Sequence, residues 1–293
     1  MLTNAPELRD LHGKIVDIPE NLRVKATKIL ADLESRKKVM VAFSGGIDST
    51  LVTYLAKLAL NENVIAVTAD SPSLPKSELQ ETKNLAAQMN IKHLIIRTDE
   101  LSDPNYVSNP SNRCYFCKKE LGEKLTRLAE SMGGYVLLDG TNAEELKGHR
   151  PGAAALSERG ILRPLAEAGM SKHEIRELSR ILGLPNFDKP SMPCLSSRVQ
   201  YGEPITRERL RRIERAEDAI RSITGVKELR VRDHGNLARI EVGKNERELL
   251  FNKEAFDRIA NSLQQLGFTY VTLDMRGYRT GSMNEVLTSK KEL

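Results

Sequence analysis

The chain has 293 residues, of which 40% are hydrophobic and 29% charged. That length suits one large domain plus a smaller one, the composition is that of a globular protein, and no apolar run is long enough to span a bilayer. Forty-five Lys and Arg against 40 Asp and Glu give a net charge of +5, read either as ordinary surface cations or as complementarity to an anionic ligand. With six Phe, seven Tyr and no Trp, and no basic stretch interleaved with aromatics, base stacking has little to act through. This argues against a nucleic-acid polymer and for a small phosphorylated ligand. The N-terminal MLTNAPELRD lacks a basic region followed by an apolar core, so the cytoplasm is the expected compartment. Three cysteines, an odd number, do not suit a disulfide framework there and leave thiol or metal chemistry.

Residues 1 to about 37 read as an adaptor, with an amphipathic helix around Glu20–Ser35. Lys38–Phe43 is a short apolar run ending in a turn signal, the pattern of a buried parallel strand. A helix from about Asp48 to Leu60 follows, then a strand over Asn63–Ala69, a helix over Ser77–Met89 and a strand over Lys92–Thr98. Asp99–Arg113 reads as a polar loop, Cys114–Ser131 as a helix, Tyr135–Gly140 as a fourth strand and the residues near Gly160–Arg163 as a fifth. Ser171–Leu182 is a helix with Ser171 as N-cap and Glu174 three positions on, a capping box. Alternating strands and helices predict an α/β fold with a doubly wound parallel sheet. Four prolines and three serines in Gly183–Pro204 break regular structure. The boundary falls there, with domains over 1–195 and 196–293. The second is a small α+β unit: helix Thr206–Ile223, strands Lys227–Asp233 and Leu237–Val242, helix Glu246–Leu266, strand Tyr270–Asp274.

The strongest signal is FSGGIDST, Phe43–Thr50, between a strand and a helix. Gly45 and Gly46 are expected at positive φ, letting the backbone approach a ligand with no Cβ in the way. Amides in such a turn converge on an anion, and the helix N-terminus adds positive potential. Ser44 and Ser49 offer hydroxyls to phosphate oxygens. Asp48, an anion itself, suits a bridging Mg²⁺. The plain alternative is a tight strand–helix turn capped by an aspartate. The loop is neither GxxxxGK[ST] nor GxGxxG. It resembles the SGGxDS loop of the ATP pyrophosphatase superfamily (the PP-loop enzymes), which split ATP between the α and β phosphates and transfer AMP. In that frame Thr68, in the strand ending at Asp70, lies where adenosine sits, and Gly140, Thr141 and Asn142 lie at the carboxyl edge of the fourth strand, where open α/β sheets bind ligands. The plain reading of Asp139–Asn142 is an Asx turn.

The nucleophile decides the product. No glutaminase segment is seen upstream to supply ammonia, and the cysteines point to sulfur. Cys114 and Cys117 form NRCYFCK; Cys194 sits in KPSMPCLSSR. Three thiolates are the count for a [4Fe–4S] cluster with one iron left open. Zinc with His173 or His149 as fourth ligand, a thioredoxin-like pair, and simple helix-start residues stay open beside it. Arg198 and Lys189 are placed to lower the Cys194 pKa, making a thiolate able to attack an adenylated carboxyl group. Arg230 and Arg232 alternate along a strand and share one face. They are read either as a phosphate clamp or as a solvated strand face. Asp274 and Glu203 are further site carboxylates or surface ion-pair partners.

Pro190–Thr206, Arg230–Val242 and Leu273–Glu285 resemble the larE family, ATP-dependent sulfurtransferases of nickel-pincer nucleotide biosynthesis; the likeness runs from about Lys25 to Glu285. The resemblance implies adenylation of the carboxylates of pyridinium-3,5-biscarboxylic acid mononucleotide and their conversion to thiocarboxylates, with ATP and Mg²⁺. It implies Cys194 as the sulfur-donating cysteine, sacrificed to dehydroalanine in single-cysteine members. The pair Cys114 and Cys117 departs from that pattern and matches members with a cluster. It also moves Arg198, Arg230 and Arg232 toward the substrate phosphate. A tRNA thiolase, an ammonia-using amide synthetase and a non-catalytic ATP sensor are the competing readings. A homo-oligomer, an external sulfur donor and a downstream nickel enzyme stay open.

Overall fold

A computed structural model describes residues 8–147, 151–279 and 281–284. They divide into two compact units, residues 1–100 with 112–192 and residues 101–111 with 193–293. Among the described residues no helix is long and apolar enough to cross a membrane.

The first unit opens with α1 (Glu20–Ser35), β1 (Val39–Ala42), α2 (Ile47–Leu60), β2 (Val64–Asp70), α3 (Lys76–Gln88) and β3 (Lys92–Arg97). After a short helix that belongs to the second unit, α4 (Pro104–Val107), it continues with α5 (Arg113–Ser131), β4 (Val136–Leu138), α6 (Pro151–Ser157), α7 (Pro164–Glu167) and α8 (Lys172–Ile181). Its sheet has the order β3-β2-β1-β4, all parallel, with Val39 opposite both Val64 and Val136. Both faces are covered, which is why β1 and β2 are apolar at nearly every position. Val39, Val41, Val64 and Ala66 join a core with Leu22 and Leu33 of α1, Leu51 and Leu55 of α2 and Leu178 of α8. Met40, Ile65 and Val67 face the other way, against Leu121 and Leu125 of α5 and Leu156 of α6. The fold is α/β, as the alternating pattern predicts.

The predicted fifth strand reduces to one parallel bridge, Leu138 to Leu162, with Asp139 N donating to Leu162 O at 2.9 Å. Pro164 opens α7 two residues on; it has no N–H to extend a ladder. Asp99–Arg113 is more structured than a loop. Asp103 caps α4 by accepting from Asn105 N, with Pro104 at the first helical position.

The second unit contains α9 (Arg207–Thr224), β5 (Leu229–His234), β6 (Leu237–Val242), α10 (Lys253–Gln265) and β7 (Tyr270–Leu273). The sheet order is β5-β6-β7, antiparallel then parallel. Ala216 and Ile220 of α9 and Ile259 and Leu263 of α10 close its core over Val231, Ala238 and Ile240. The helix read from Glu246 breaks instead into a 3-10 turn (Lys244–Leu250) and α10. Asn252 sits between them as N-cap, accepting from Glu254 N at 2.9 Å, and that local bond competes with helix continuation. The excursion 101–111 is held in this unit by Tyr106 and Ser196 hydroxyls 2.5 Å apart and by Asn109 Nδ2 donating to Gln200 O at 2.7 Å.

Candidate active site

The turn after β1 is built for close approach. Gly45 has φ +71, and a Cβ there would lie 2.7 Å from Thr82 Cγ2. Gly46 differs from the expectation of positive φ: at φ −74, ψ 157 it is the extended N-cap of α2, the conformation an N-cap requires. Its carbonyl accepts from Thr50 N at 3.0 Å, Ser49 Oγ at 3.0 Å and Thr50 Oγ1 at 2.9 Å. The Ser44 and Ser49 hydroxyls lie 3.2 Å apart, and Ser49 Oγ accepts from Ser44 N at 3.3 Å. Asn186 braces the turn from beneath. It is 3% exposed, and its Nδ2 donates to Gly45 O at 3.0 Å and Thr50 Oγ1 at 2.9 Å. Sequence reasoning passed over Asn186, because nothing in its proline-rich surroundings ties it to a loop 141 residues earlier.

Asp48 is the second residue of α2, so the N-cap is Gly46 and not an aspartate. Lys172 Nζ lies 2.8 and 2.6 Å from its two carboxylate oxygens. Thr68 Oγ1 donates to Phe43 O at 2.7 Å and lies 2.8 Å from His93 Nε2. Because the threonine proton is spent on the carbonyl, the imidazole nitrogen is the donor in that second contact. Burial, with some help from Lys83, holds the His93 pKa below its usual value. Gly140 touches the start of α2: a Cβ would lie 2.6 Å from Ser49 N. Thr141 N donates to Asp139 Oδ1 at 2.6 Å, an Asx turn. Ser44, Gly45, Gly46, Asp48, Ser49, Thr68, Gly140 and Thr141 thus gather around one strand–turn–helix junction.

In the second unit, Cys194 is half-buried and precedes a 3-10 turn, Leu195–Arg198. Arg198 is fully buried. Its Nε and Nη2 donate to Glu217 at 2.9 and 3.2 Å, and its Nη1 donates to Pro193 O and, at 3.0 Å, to Cys194 O. Glu217 also accepts from Val231 N at 3.1 Å and Arg221 at 3.0 Å. Burial alone would raise the Glu217 pKa, but Arg198, Arg221 and Arg230 together hold it below the usual carboxylate value. Arg232 pairs with Glu241 at 2.7 Å and donates to Ser282 Oγ at 3.0 Å and Ser197 O at 3.1 Å. Arg230 lies over the Tyr278 ring, 5.0 Å from its centroid. Burial and the charge of Arg198 bring its pKa down to about 10. A solvated strand face does not describe these residues, since Arg230 and Arg232 are 1% and 4% exposed. Arg198 and Arg232 are each paired with a buried carboxylate, Glu217 and Glu241, and Arg230 is buried beside them. Glu203 pairs with Arg209 at 3.0 Å. Asp274 accepts from Arg276 N at 2.8 Å. Burial raises its pKa, but that hydrogen bond and Arg279 and Arg239 outweigh it and leave the value lowered. Lys189 is engaged by Glu78 at 2.7 Å and Glu81 at 2.8 Å.

The NAD synthase family model matches residues 22–112, the stretch that carries β1, the glycine turn and α2. An uncharacterised protein of Synechocystis is 45% identical over 251 residues, 86% of this chain and 93% of that one. The pyridinium-3,5-bisthiocarboxylic acid mononucleotide synthase of Lactiplantibacillus plantarum is 37% identical over 270 residues, 91% of this chain and 96% of that protein. The chain belongs to the larE family. An uncharacterised protein of Methanocaldococcus jannaschii, 30% identical over 268 residues, covers 91% of this chain and 98% of its own length.

As a larE-family protein with a PP-loop domain, the chain is an ATP-using enzyme. Its residues fit the cation that accompanies ATP: the Asp48 carboxylate already grips a positive charge at the mouth of the turn, and Mg²⁺ takes few protein ligands. Cys114 and Cys117 lie one turn apart at the start of α5, exposed and half-buried. Among the described residues no group of three or more His, Cys, Asp and Glu is placed to hold a metal ion. His149, considered as a zinc ligand, lies outside the described residues.

Proposed function

We propose that this larE-family enzyme converts the carboxylates of pyridinium-3,5-biscarboxylic acid mononucleotide to thiocarboxylates, at the expense of ATP. The observation that carries the reading is in the second unit. The loop bearing Cys194 is tied by Arg198 to Glu217 and by Ser197 O to Arg232, so a thiol and a cluster of buried guanidinium groups belong to one construction. A nucleotide substrate with a phosphate and carboxylates matches that pairing.

The chemistry follows from leaving groups. A carboxylate oxygen of the substrate attacks the α-phosphorus of ATP, and pyrophosphate leaves. Amides of the glycine turn, the Ser44 and Ser49 hydroxyls and the first turn of α2 stabilise that departure. Mg²⁺ held at Asp48 would supply further charge for it. The Cys194 thiolate then attacks the acyl carbon and AMP leaves. Loss of the Cys194 Cα proton to a base breaks the Cβ–S bond, and the sulfur departs with the product as thiocarboxylate. A [4Fe–4S] cluster on Cys114, Cys117 and Cys194 is the second reading for the sulfur source. It is favoured by the one-turn spacing of the pair.

Anaerobic mass spectrometry of the protein with ATP, Mg²⁺ and the dicarboxylate nucleotide tests both. Thiocarboxylate, AMP and pyrophosphate together are expected, with the protein lighter by one H₂S if Cys194 is sacrificed. About four irons per chain with no mass loss selects the cluster. Nucleotide cleaved without sulfur in any product rejects the proposal.

A further inference from the structure

We propose that Tyr278 is the seat of the substrate's pyridinium ring: the ring lies against the face of the phenol, while the phosphate goes to the arginines that the phenol borders. The inference rests on the function proposed above. It adds a residue for the part of the substrate that carries the reacting carboxylates.

The need for such a residue is visible on the sheet of the second unit. One face of β5 and β6 is closed by α9 and α10, through Val231, Ala238 and Ile240. Alternation puts Arg230 and Arg232 on the opposite face, and the register sets Glu241 opposite Arg230 and Arg239 opposite Arg232. A row of guanidinium groups meets a phosphate well, but it repels a cationic ring. The aromatic group set against that row is Tyr278, its ring centroid 5.0 Å from the Arg230 guanidinium carbon.

Tyr278 is placed by its main chain. Asp274 N donates to Ile240 O at 2.8 Å and Tyr278 N to Val242 O at 2.9 Å, so the segment after β7 keeps following β6. Between them Gly277 turns at φ +67, and a Cβ there would lie 2.5 Å from Val242 O. Glycine is what lets the chain press that close. Beyond the tyrosine, Ser282 Oγ donates to Glu241 Oε1 at 2.9 Å, which pins the far side of the segment. These bonds hold the backbone and not the phenol, which is half-buried and takes no part in the apolar core of the unit.

The pairing follows from electron density. A phenol face is electron-rich, and a pyridinium ring is electron-poor, so an offset stack of the two is attractive. Arg230 lies over one face of the phenol; a phosphate on Arg230 offsets its charge and leaves the second face to the pyridinium. In an offset stack the ring carboxylates project past the edge of the phenol, open to AMP and to sulfur. Arg198, whose Nη1 holds the Cys194 carbonyl, acts electrostatically on the same Arg230. Ring seat, phosphate site and thiol loop therefore belong to one unit.

Calorimetric binding of the dicarboxylate nucleotide and of ribose 5-phosphate, which has the phosphate and no ring, tests the assignment in the wild type, Tyr278→Leu and Tyr278→Phe. Tyr278→Leu is expected to weaken the nucleotide about tenfold and ribose 5-phosphate less than about twofold. Tyr278→Phe keeps a ring face and stays within about threefold for both. The chain has seven Tyr and no Trp, so an electron-poor ring on Tyr278 also quenches tyrosine emission, and that quenching should shrink in Tyr278→Phe. Equal loss for both ligands, or none for either, in a folded Tyr278→Leu overturns the assignment alone, as does a Tyr278→Phe protein that binds as poorly as Tyr278→Leu. Should Tyr278→Leu not fold, undiminished quenching in Tyr278→Phe overturns it. Failure of the wild type to bind the nucleotide overturns the proposed function and this inference with it.

Discussion

Gly140→Ala separates packing from nucleotide contact. An added methyl carbon would lie 2.6 Å from Ser49 N, 2.8 Å from Ser49 Cα and 2.9 Å from Asp48 C. All three are main-chain atoms in the first turn of α2, so no side chain can swing aside. Ordinary carbon contacts are about 3.5–4.0 Å, so the loop after β4 and the start of α2 must part by about 1 Å. Overpacking costs about 1–3 kcal/mol, and a clash with main chain on a buried helix belongs at the upper end. For a unit of this size each kcal/mol lowers Tm by about 2–4 °C, so a fall of about 6–12 °C is expected. The same shift moves Ser49 and Asp48 away from the geometry that meets phosphate, and a misplacement of about 1 Å costs on the order of a hundredfold in rate. Differential scanning calorimetry of the variant, paired with ATP binding and the rate of pyrophosphate release, reads these effects. A Gly140→Ala protein with the wild-type Tm but weakened ATP binding would refute the packing argument and leave Gly140 as a pure ligand contact.

Cys194→Ser is expected to keep single-turnover pyrophosphate formation within about threefold while yielding no thiocarboxylate, because adenylation precedes the step that needs the sulfur; sulfur insertion by this variant would remove Cys194 from its proposed role. Glu217→Gln leaves Arg198 without its buried counter-charge and is expected to cost about 3–5 kcal/mol. Because the folded-state pKa of Glu217 is depressed, its contribution is complete above the ordinary carboxylate range and is lost as pH falls through the folded value. The stability gap between wild type and Glu217→Gln, measured by urea unfolding, should therefore be level from about pH 5 to 8 and close in more acid solution; a gap unchanged in acid would contradict the assignment. Arg230, held near a pKa of about 10, is charged at neutral pH against the preference of its surroundings, and a bound phosphate monoester relieves that. A saturating pyridine mononucleotide should raise the unfolding temperature of the wild type, by mass action, and not that of an Arg230→Ala, Arg232→Ala double variant.

Much of the first unit is legible in the sequence, because its signals are local. Glu20–Ser35 has the helix bounds read from its amphipathic pattern. The apolar runs of β1 and β2 follow from burial on both faces, and the Ser171–Glu174 box fixes the start of α8. The glycine turn announces itself by composition, although only one of its two central glycines needs positive φ. What is not legible depends on distant partners. Glu217 falls on the apolar stripe of α9, four residues after Ile213 and three before Ile220, but its partner Arg198 carries no signal in the sequence. Asn186 and Lys172 act on the turn from 136 and 124 residues away. The excursion 101–111 leaves the first unit and returns, driven by single contacts of Tyr106 and Asn109 that carry no periodicity.

The way Cys194 is held bears on what its sulfur is for. Its carbonyl accepts from Arg198 Nη1 and Ser197 N, both at 3.0 Å, and Arg198 in turn is locked to Glu217. The loop is therefore anchored through main chain and through a neighbouring guanidinium. A cysteine kept for packing would be fixed by burial of its side chain, and removing the sulfur would leave a cavity. Here the side chain is only half-buried, and the bonds that place the residue survive any change at Sγ. Buried arginine–carboxylate arrays are seldom the most stable filling for a core, so the charges of Arg198, Arg230 and Arg232 also need a reason beyond folding. A phosphorylated substrate beside a thiol that can give up its sulfur without releasing its loop supplies one reason for both features.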